Sequence, residues 1–366
     1  MALTIHDLDT PAVVVDLDVM EANLARMAAF CRDHRLRLRP HTKTHKVPEL
    51  AHAQVRSGAC GITVAKVGEA EVMAAAGLDN ILIAYPVVGA LKVERLARLA
   101  LRRAMTVALD SREAAAGISA GLHSRGASID VLVEINTGFG RCGVTIGPEA
   151  IELARYVASL PSLKFRGVMV YPGNMLVDAG KIAPLVQNER TRDAEIVELF
   201  NRAGLPIEIF SAGSTPSAPI TGDLPAVNEI RPGTYIYNDM NTVGSGACTL
   251  ADCATTALVT VVSTAVPGKA MMDGGSKTFS SDTLRTGKAA GYGYIVEDPD
   301  AVVSGFNEEH GHLDLRASGR KYRVGERLRV IPNHVCAMIN LHDQVYGVRG
   351  ETVEVVWNVA GRGKLQ

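Results

Sequence analysis

From about residue 12 to about residue 245, short β-branched runs alternate with longer amphipathic stretches, and this alternation limits the possible folds more than any other feature. Val13-Val14-Val15 reads as a strand. Asp18-Val19-Met20-Glu21 then resembles a capping box, opening a helix that carries Leu24, Met27, Ala28 and Cys31 on one face. Strand cores recur at residues 62–64, 81–83, 106–109, 131–133, 168–170 and 207–210, with helical stretches such as 67–76 and 150–159 between them. About eight such units in roughly 230 residues is the arithmetic of a (β/α)8 barrel. An open doubly wound sheet is the alternative, but no G-x-G-x-x-G follows the first strand, which disfavours a dinucleotide fold.

After Thr242 the pattern changes. Residues 258–262, 328–331 and 353–357 read as strands without convincing helices between them, separated by Gly, Asp and Pro turns. The expectation is an α/β chain of two domains: a barrel over 12–245, and a mostly antiparallel β domain over 246–366 that also takes residues 1–11. A length of 366 residues suits two domains, and 47% hydrophobic with 21% charged residues suits a large core.

The formal charge of −1 and the lack of a long basic tract argue against a nucleic-acid partner. The first residues show no secretory leader, and the uncharged stretch 253–266 is too short to span a bilayer, so no membrane partner is expected. Six cysteines without a close-spaced pair point to reduced thiols in the cytoplasm.

The chemistry concentrates in Arg39-Pro40-His41-Thr42-Lys43-Thr44-His45-Lys46, which follows the alternating stretch 35–39. Lys43 therefore falls at the carboxyl end of an early strand, the edge where α/β folds place their chemistry. A lysine there can form a Schiff base with a carbonyl cofactor if its ammonium is desolvated or crowded by cations. Arg39, His41, His45 and Lys46 would supply the crowding. Two other readings fit the run: a solvated basic loop, or His41 and His45 as metal ligands four apart, although the glutamate of that metal motif is missing.

Glycine-rich turns at strand ends, residues 138–143, 211–215 and 229–235, read as anion nests or as plain tight turns. Arg141 is either a surface arginine or a cation aimed at a ring nitrogen or carboxylate. His334 and Cys336, two apart on an expected strand, would share a face, and imidazole with thiolate suits Zn2+. A buried His and a buried Cys are equally an ordinary core pair.

Taken in order, these motifs resemble the fold-type III pyridoxal-phosphate enzymes of the D-threonine aldolase and D-serine dehydratase group. The likeness covers nearly the whole chain. It runs from Asp9-Thr10-Pro11 through residues 39–46, Gly140-Arg141-Cys142-Gly143, 211–215 and Pro232-Gly233-Thr234-Tyr235. It continues with Glu308-Glu309-His310-Gly311, Pro332-Asn333-His334-Val335-Cys336 and Asn340-Leu341-His342-Asp343. The resemblance implies a Schiff base from pyridoxal 5'-phosphate to Lys43, Arg141 facing the pyridine nitrogen, and Tyr171 beside the cofactor. Gly213, Ser214, Thr215 and Tyr235 would surround the phosphate, and His334 and Cys336 would hold a divalent metal (Zn, Mn or Mg).

An arginine facing the pyridine nitrogen keeps it unprotonated, since two cations would repel. The family also implies a homodimer and a small D-β-hydroxy-α-amino acid as substrate, cleaved to glycine and an aldehyde. The alternative is dehydration to a keto acid and ammonia, as in D-serine or D-3-hydroxyaspartate dehydratases. Aldolases of this group carry an aspartate where Cys336 stands, and a histidine shortly after the tyrosine matching Tyr171; residues 172–177 contain none. The general run of the sequence and the 340–343 tail lie nearer the aldolases.

Overall fold

The structure, a computed structural model of the chain, describes residues 3–171, 173, 182–284 and 291–366. It divides into two compact units. A barrel unit comprises Met27–Lys43, Pro48–Gly233 and Lys364–Gln366; a β-rich unit comprises the chain up to Arg26, then Thr44–Val47 and Thr234–Gly363.

The chain begins with β1 (Ala12–Asp16) and α1 (Leu17–Asp33). β1 does not open the barrel, as its position in the sequence suggested. It pairs antiparallel with residues 255–258 and parallel with residues 346–348 of the β-rich unit. Ala12 to Val15 are all buried, and a run buried on both faces suits the middle of any sheet, so its pattern gives burial without naming the neighbours. The helix start also differs from the expected box at Asp18: Asp16 Oδ1 accepts from Val19 N at 3.0 Å.

The barrel strands are β2 (Arg37–Leu38), β3 (Ile62–Val64), β4 (Ile81–Ile83), β5 (Met105–Leu109), β6 (Ile129–Ile135), β7 (Leu163–Val170), β8 (Ile209–Ala212) and β9 (Glu229–Ile230). The helices of this unit are α2 (Pro48–Arg56), α3 (Val67–Ala75), α4 (Ala90–Ala100), α5 (Arg112–His123), α6 (Pro148–Ser159), α7 (Ile182–Arg202) and α8 (Ala218–Gly222). All sheet pairings are parallel, in the order β2-β9-β8-β7-β6-β5-β4-β3. The ring is closed just beyond β2, where Cys60 N donates to Leu38 O, Thr63 N donates to Pro40 O, and His41 bridges Thr63. This settles the choice between barrel and open sheet.

Strand alternation sorts the side chains. Ile62, Val64, Ile81, Ile83, Val107, Val131, Val133 and Val168 pack outward with the helices in one large core. Leu82, Ala108, Leu132, Met169 and Ile209 form a small separate cluster on the inward face. Inward positions nearer the carboxyl ends are polar, among them Thr63, Glu134, Ser211 and Glu229.

The β-rich unit adds β10 (Thr255–Ser263), β11 (Lys269–Met272), β12 (Gly293–Ile295), β13 (Val302–Phe306), β14 (Gly311–Asp314), β15 (Arg327–Pro332), β16 (Gln344–Arg349) and β17 (Thr352–Asn358). Short helices α9 (Met240–Gly244), α10 (Ser276–Phe279) and α11 (Val335–Ile339) interrupt them. The main path runs β13-β14-β11-β10-β1-β16-β17, with β15 joining β10 and β12, and every pairing but β1 with β16 is antiparallel. No helix among the described residues is long and apolar enough to cross a membrane.

Candidate active site

In a closed parallel barrel all strand carboxyl ends share one rim, so Lys43, Arg141, Tyr171, Gly213 and Arg231 follow strands on the same edge. Lys43 occupies a single 3-10 turn, Thr42–Thr44, just past β2. Residues 39–42 and 44–47 are all buried; Lys43 between them is exposed. The turn is held from within: Thr42 Oγ1 donates to Thr63 O (3.2 Å), Thr63 Oγ1 donates to Arg39 O (2.8 Å), and Val47 N donates to His45 Nδ1 (3.1 Å).

Lys43 is exposed instead of desolvated as expected, and Arg39 and Lys46 do not supply the expected cationic crowd. Arg39 Nε meets Glu229 Oε2 at 2.9 Å, the pair being 5% and 0% exposed, and its Nη1 reaches Asn80. Lys46 Nζ donates to Gly361 O at 3.4 Å. His41 and His45 do not form a metal centre either: their Nδ1 atoms accept from the backbone N–H of Lys43 and Val47. Among the described residues no group of three or more His, Cys, Asp or Glu side chains is set to hold a metal.

Arg141 sits in the loop after β6. Asn136 Oδ1 accepts from Gly138 N (3.0 Å) and Gly140 N (3.1 Å), so these N–H groups face a side chain inside the loop instead of forming an open nest. Gly143 donates to Asp110 Oδ2 at 2.9 Å; with φ +102°, an added Cβ there would lie 2.5 Å from Asn136 N. The guanidinium of Arg141 lies over the ring of half-buried Tyr171, 4.4 Å from its centroid, and 4.0 Å from Glu134. Tyr171 in turn meets Phe139 edge-on, at 5.4 Å and 86°.

Beneath the rim lies a buried network that the sequence did not reveal. Glu229 Oε1 accepts from Ser211 Oγ at 2.6 Å while its Oε2 takes Arg39. Arg231 donates to Ser211 Oγ (2.6 Å) and Val170 O (2.9 Å). Burial draws Arg231 down to about 10 against the support of Glu229 and Glu134. Burial likewise pushes Glu134 above the usual carboxylate range, opposed by Arg141 and Arg231. The one available signal was alternation: Glu134 and Leu132 share a face, as do Glu229 and Arg231.

The late turn is built around Gly213, whose φ is +77°. A Cβ there would meet Ile230 Cγ1 at 2.7 Å and Thr221 Oγ1 at 2.8 Å, so only glycine fits. Ser214 N donates to Ser217 Oγ at 2.8 Å, and Thr215 is buried beside them in the sequence. Tyr235 falls in the β-rich unit, buried within the 3-10 turn Thr234–Ile236.

In the same unit, His334 and Cys336 are not on a strand. His334 is the N-cap of α11 and Cys336 lies in its first turn. The pair still meets, imidazole bonded to thiol. Asp239 Oδ2 accepts from Val335 N at 3.0 Å, taking the capping work and leaving the imidazole for other contacts. His334 Nδ1 lies 2.5 Å from Asp282 Oδ2, and Thr44 Oγ1 is 3.2 Å from Cys336 Sγ. Burial alone would lower His334, but Cys336, Asp282 and Asp239 together raise it to about 9. Asp282, Asp239 and Thr44 were not anticipated, because their partners stand far off in the sequence. Of residues 172–177, where the aldolases' histidine would stand, only Gly173 is among the described residues.

A closed parallel barrel with a rim lysine, joined to a mostly antiparallel β unit, is the architecture of fold-type III pyridoxal-phosphate enzymes. Residues 15–241 match the family "alanine racemase, N-terminal domain", and residues 254–348 match the family "putative serine dehydratase domain". The chain belongs to the alanine racemase N-terminal-domain family, which is pyridoxal-phosphate-dependent. It is 32% identical to the D-threonine aldolase of Arthrobacter sp. over 97% of this chain and 93% of that protein. It is 36% identical to the D-threo-3-hydroxyaspartate dehydratase of Delftia sp., over 91% and 92%. These relatives are lyases by reaction.

Among solved structures, D-threonine aldolase from Filomicrobium marinum superposes with a TM-score of 0.93 at 34% identity, covering 100% of this chain and 99% of that one. A histidine-to-alanine variant of D-threo-3-hydroxyaspartate dehydratase gives 0.90 at 32% identity, over 98% and 96%. A cysteine-to-alanine variant of that enzyme is in a metal-free form, and the two substituted residues lie two positions apart.

Proposed function

We propose that the chain is a pyridoxal-phosphate- and divalent-metal-dependent lyase that cleaves D-β-hydroxy-α-amino acids to glycine and an aldehyde, in the manner of D-threonine aldolase. The observation carrying this reading is one exposed lysine at the barrel rim, on a short turn set in a run whose other residues are buried. Such an amine can attach a carbonyl cofactor without breaking its surroundings.

Lys43 Nζ is the attachment point for the cofactor aldehyde. Arg141, braced over Tyr171, presents a cation to the ring nitrogen. Gly213, Ser214, Thr215 and Tyr235 would hold the phosphate. Bound there, pyridoxal phosphate supplies a sink for negative charge developing at the substrate Cα. His334 and Cys336 would hold a divalent ion, which would supply Lewis acidity toward a substrate hydroxyl. A neutral imidazole with a thiolate favours Zn2+, while added oxygen ligands would admit Mn2+ or Mg2+. We place the enzyme in the cytoplasm, as a homodimer acting on a small substrate, with no nucleic-acid or membrane partner.

Dehydration to a keto acid is the second reading, and Cys336 favours it. The dehydratase variants' two-residue spacing of histidine and cysteine is that of His334 and Cys336. In that reaction Lys43 Nζ would be the base that takes the Cα proton. The test is product analysis on D-threonine and D-3-hydroxyaspartate. Glycine with acetaldehyde from D-threonine supports the aldolase; 2-oxobutyrate with ammonia supports the dehydratase, and neither product overturns both. Excess chelator should stop turnover yet keep the cofactor's visible absorbance; full activity in chelator overturns the role given to His334 and Cys336.

A further inference from the structure

We propose that Asp282 is the positioning residue of the metal centre, holding His334 so that its Nε2 atom faces the ion. This rests on the metal reading of His334 and Cys336 above. An ionised carboxylate only accepts hydrogen bonds, so the 2.5 Å contact between Asp282 Oδ2 and His334 Nδ1 places the ring proton on Nδ1. Nε2 is the ring nitrogen directed away from Asp282, and once its proton is displaced it carries the lone pair a metal requires.

Asp282 is set in place from both ends. Asn333, the residue before His334 and 3% exposed, donates its amide to Asp282 O (3.1 Å) and Gly291 O (3.0 Å). Asn333 O in turn accepts from Asn241 N (3.2 Å) and Nδ2 (2.6 Å). Asp282 N donates to Ser280 Oγ at 3.2 Å. One residue therefore fixes the main chain of Asp282 while the next receives its carboxylate. His334 has extended backbone, φ −140°, and its side chain makes no cap bond. Since Asp239 satisfies Val335 N, the imidazole is not needed to start the helix, and the Asp282 contact serves its orientation.

The experiment measures Zn2+ affinity of the full, cofactor-loaded chain by competition with a chromophoric chelator. Wild type is compared with Asp282→Ala, Asp282→Asn and, as reference, His334→Ala; melting of each metal-free protein and the cofactor's visible absorbance are followed in parallel. Asp282→Ala should weaken Zn2+ binding by about 10–100-fold with absorbance unchanged. Asp282→Asn keeps an acceptor for the Nδ1 proton and should recover part of that loss; being isosteric, it carries the test if the alanine variant melts early. Wild-type affinity in both Asp282 variants, with affinity lost in His334→Ala, overturns the positioning role alone. Wild-type affinity in His334→Ala overturns the metal reading, and this inference with it.

Discussion

Inside the barrel, Glu229 is bonded through both oxygens, to Arg39 and Ser211, and Arg231 holds Ser211 and a backbone carbonyl. In the β-rich unit, His334 and Asp282 touch each other yet remain 26% and 36% exposed at the side chain. The barrel groups are committed to one another and fix the shape of the strand ends beneath the rim. The His334, Cys336 and Asp282 group is only partly enclosed, so an additional ligand can join it. Lys43 follows the second pattern within the first unit: an accessible amine on a locked turn. Rigid support with one uncommitted reactive group is what a covalent cofactor site needs.

Breaking the barrel network gives the largest expected change in stability. Glu229→Gln leaves Arg39 without its buried counter-charge and takes one of two from Arg231, and should cost about 3–5 kcal/mol in urea unfolding. A cost near zero would mean that the network does not hold the barrel.

Asp193 on α7 sharpens the contrast, because one of its buried oxygens has no partner among the described residues. Burial, opposed by Arg192, raises this carboxyl from 3.8 to about 6. A folded value above the unfolded one means stability is fullest below pH 4 and falls as pH rises through about 6. Wild type should therefore lose up to about 3 kcal/mol relative to Asp193→Asn between pH 4 and 7. Parallel pH profiles would contradict the assignment.

The smallest effect on stability is expected at the rim. Gly213→Ala must place a Cβ against Ile230 and Thr221 at positive φ and should cost about 1–3 kcal/mol. Its cofactor affinity should fall as well; unchanged affinity would remove this turn from the phosphate site.

The sequence made the barrel legible because each strand there pairs with a neighbour close in the chain, so period and spacing carry the topology. β3 to β7 lie where the apolar runs place them. β1 misled because Val13-Val14-Val15 records burial alone, while its partners, β10 and β16, stand more than two hundred residues away. β11 to β14 and β16 are short or contain glycine, and gave little alternation to read.

Site residues followed the same rule. Lys43 and Arg141 stand out as candidates because each lies in a local motif. Asp282 beside His334, and Thr44 beside Cys336, are contacts across 52 and 292 positions that no local pattern encodes. The strand expected at His334 and Cys336 is a helix start, yet it brings the two side chains together all the same.

The nitrogen that bonds the cofactor decides most directly whether Lys43 is the catalytic lysine. Borohydride reduction of the pyridoxal-phosphate-loaded protein, followed by peptide mapping, locates that bond. The label should lie on Lys43 and be absent from Lys43→Ala, which should also lose turnover by about 10^2-fold or more. A label on another lysine, or none on the wild-type chain, would contradict that role.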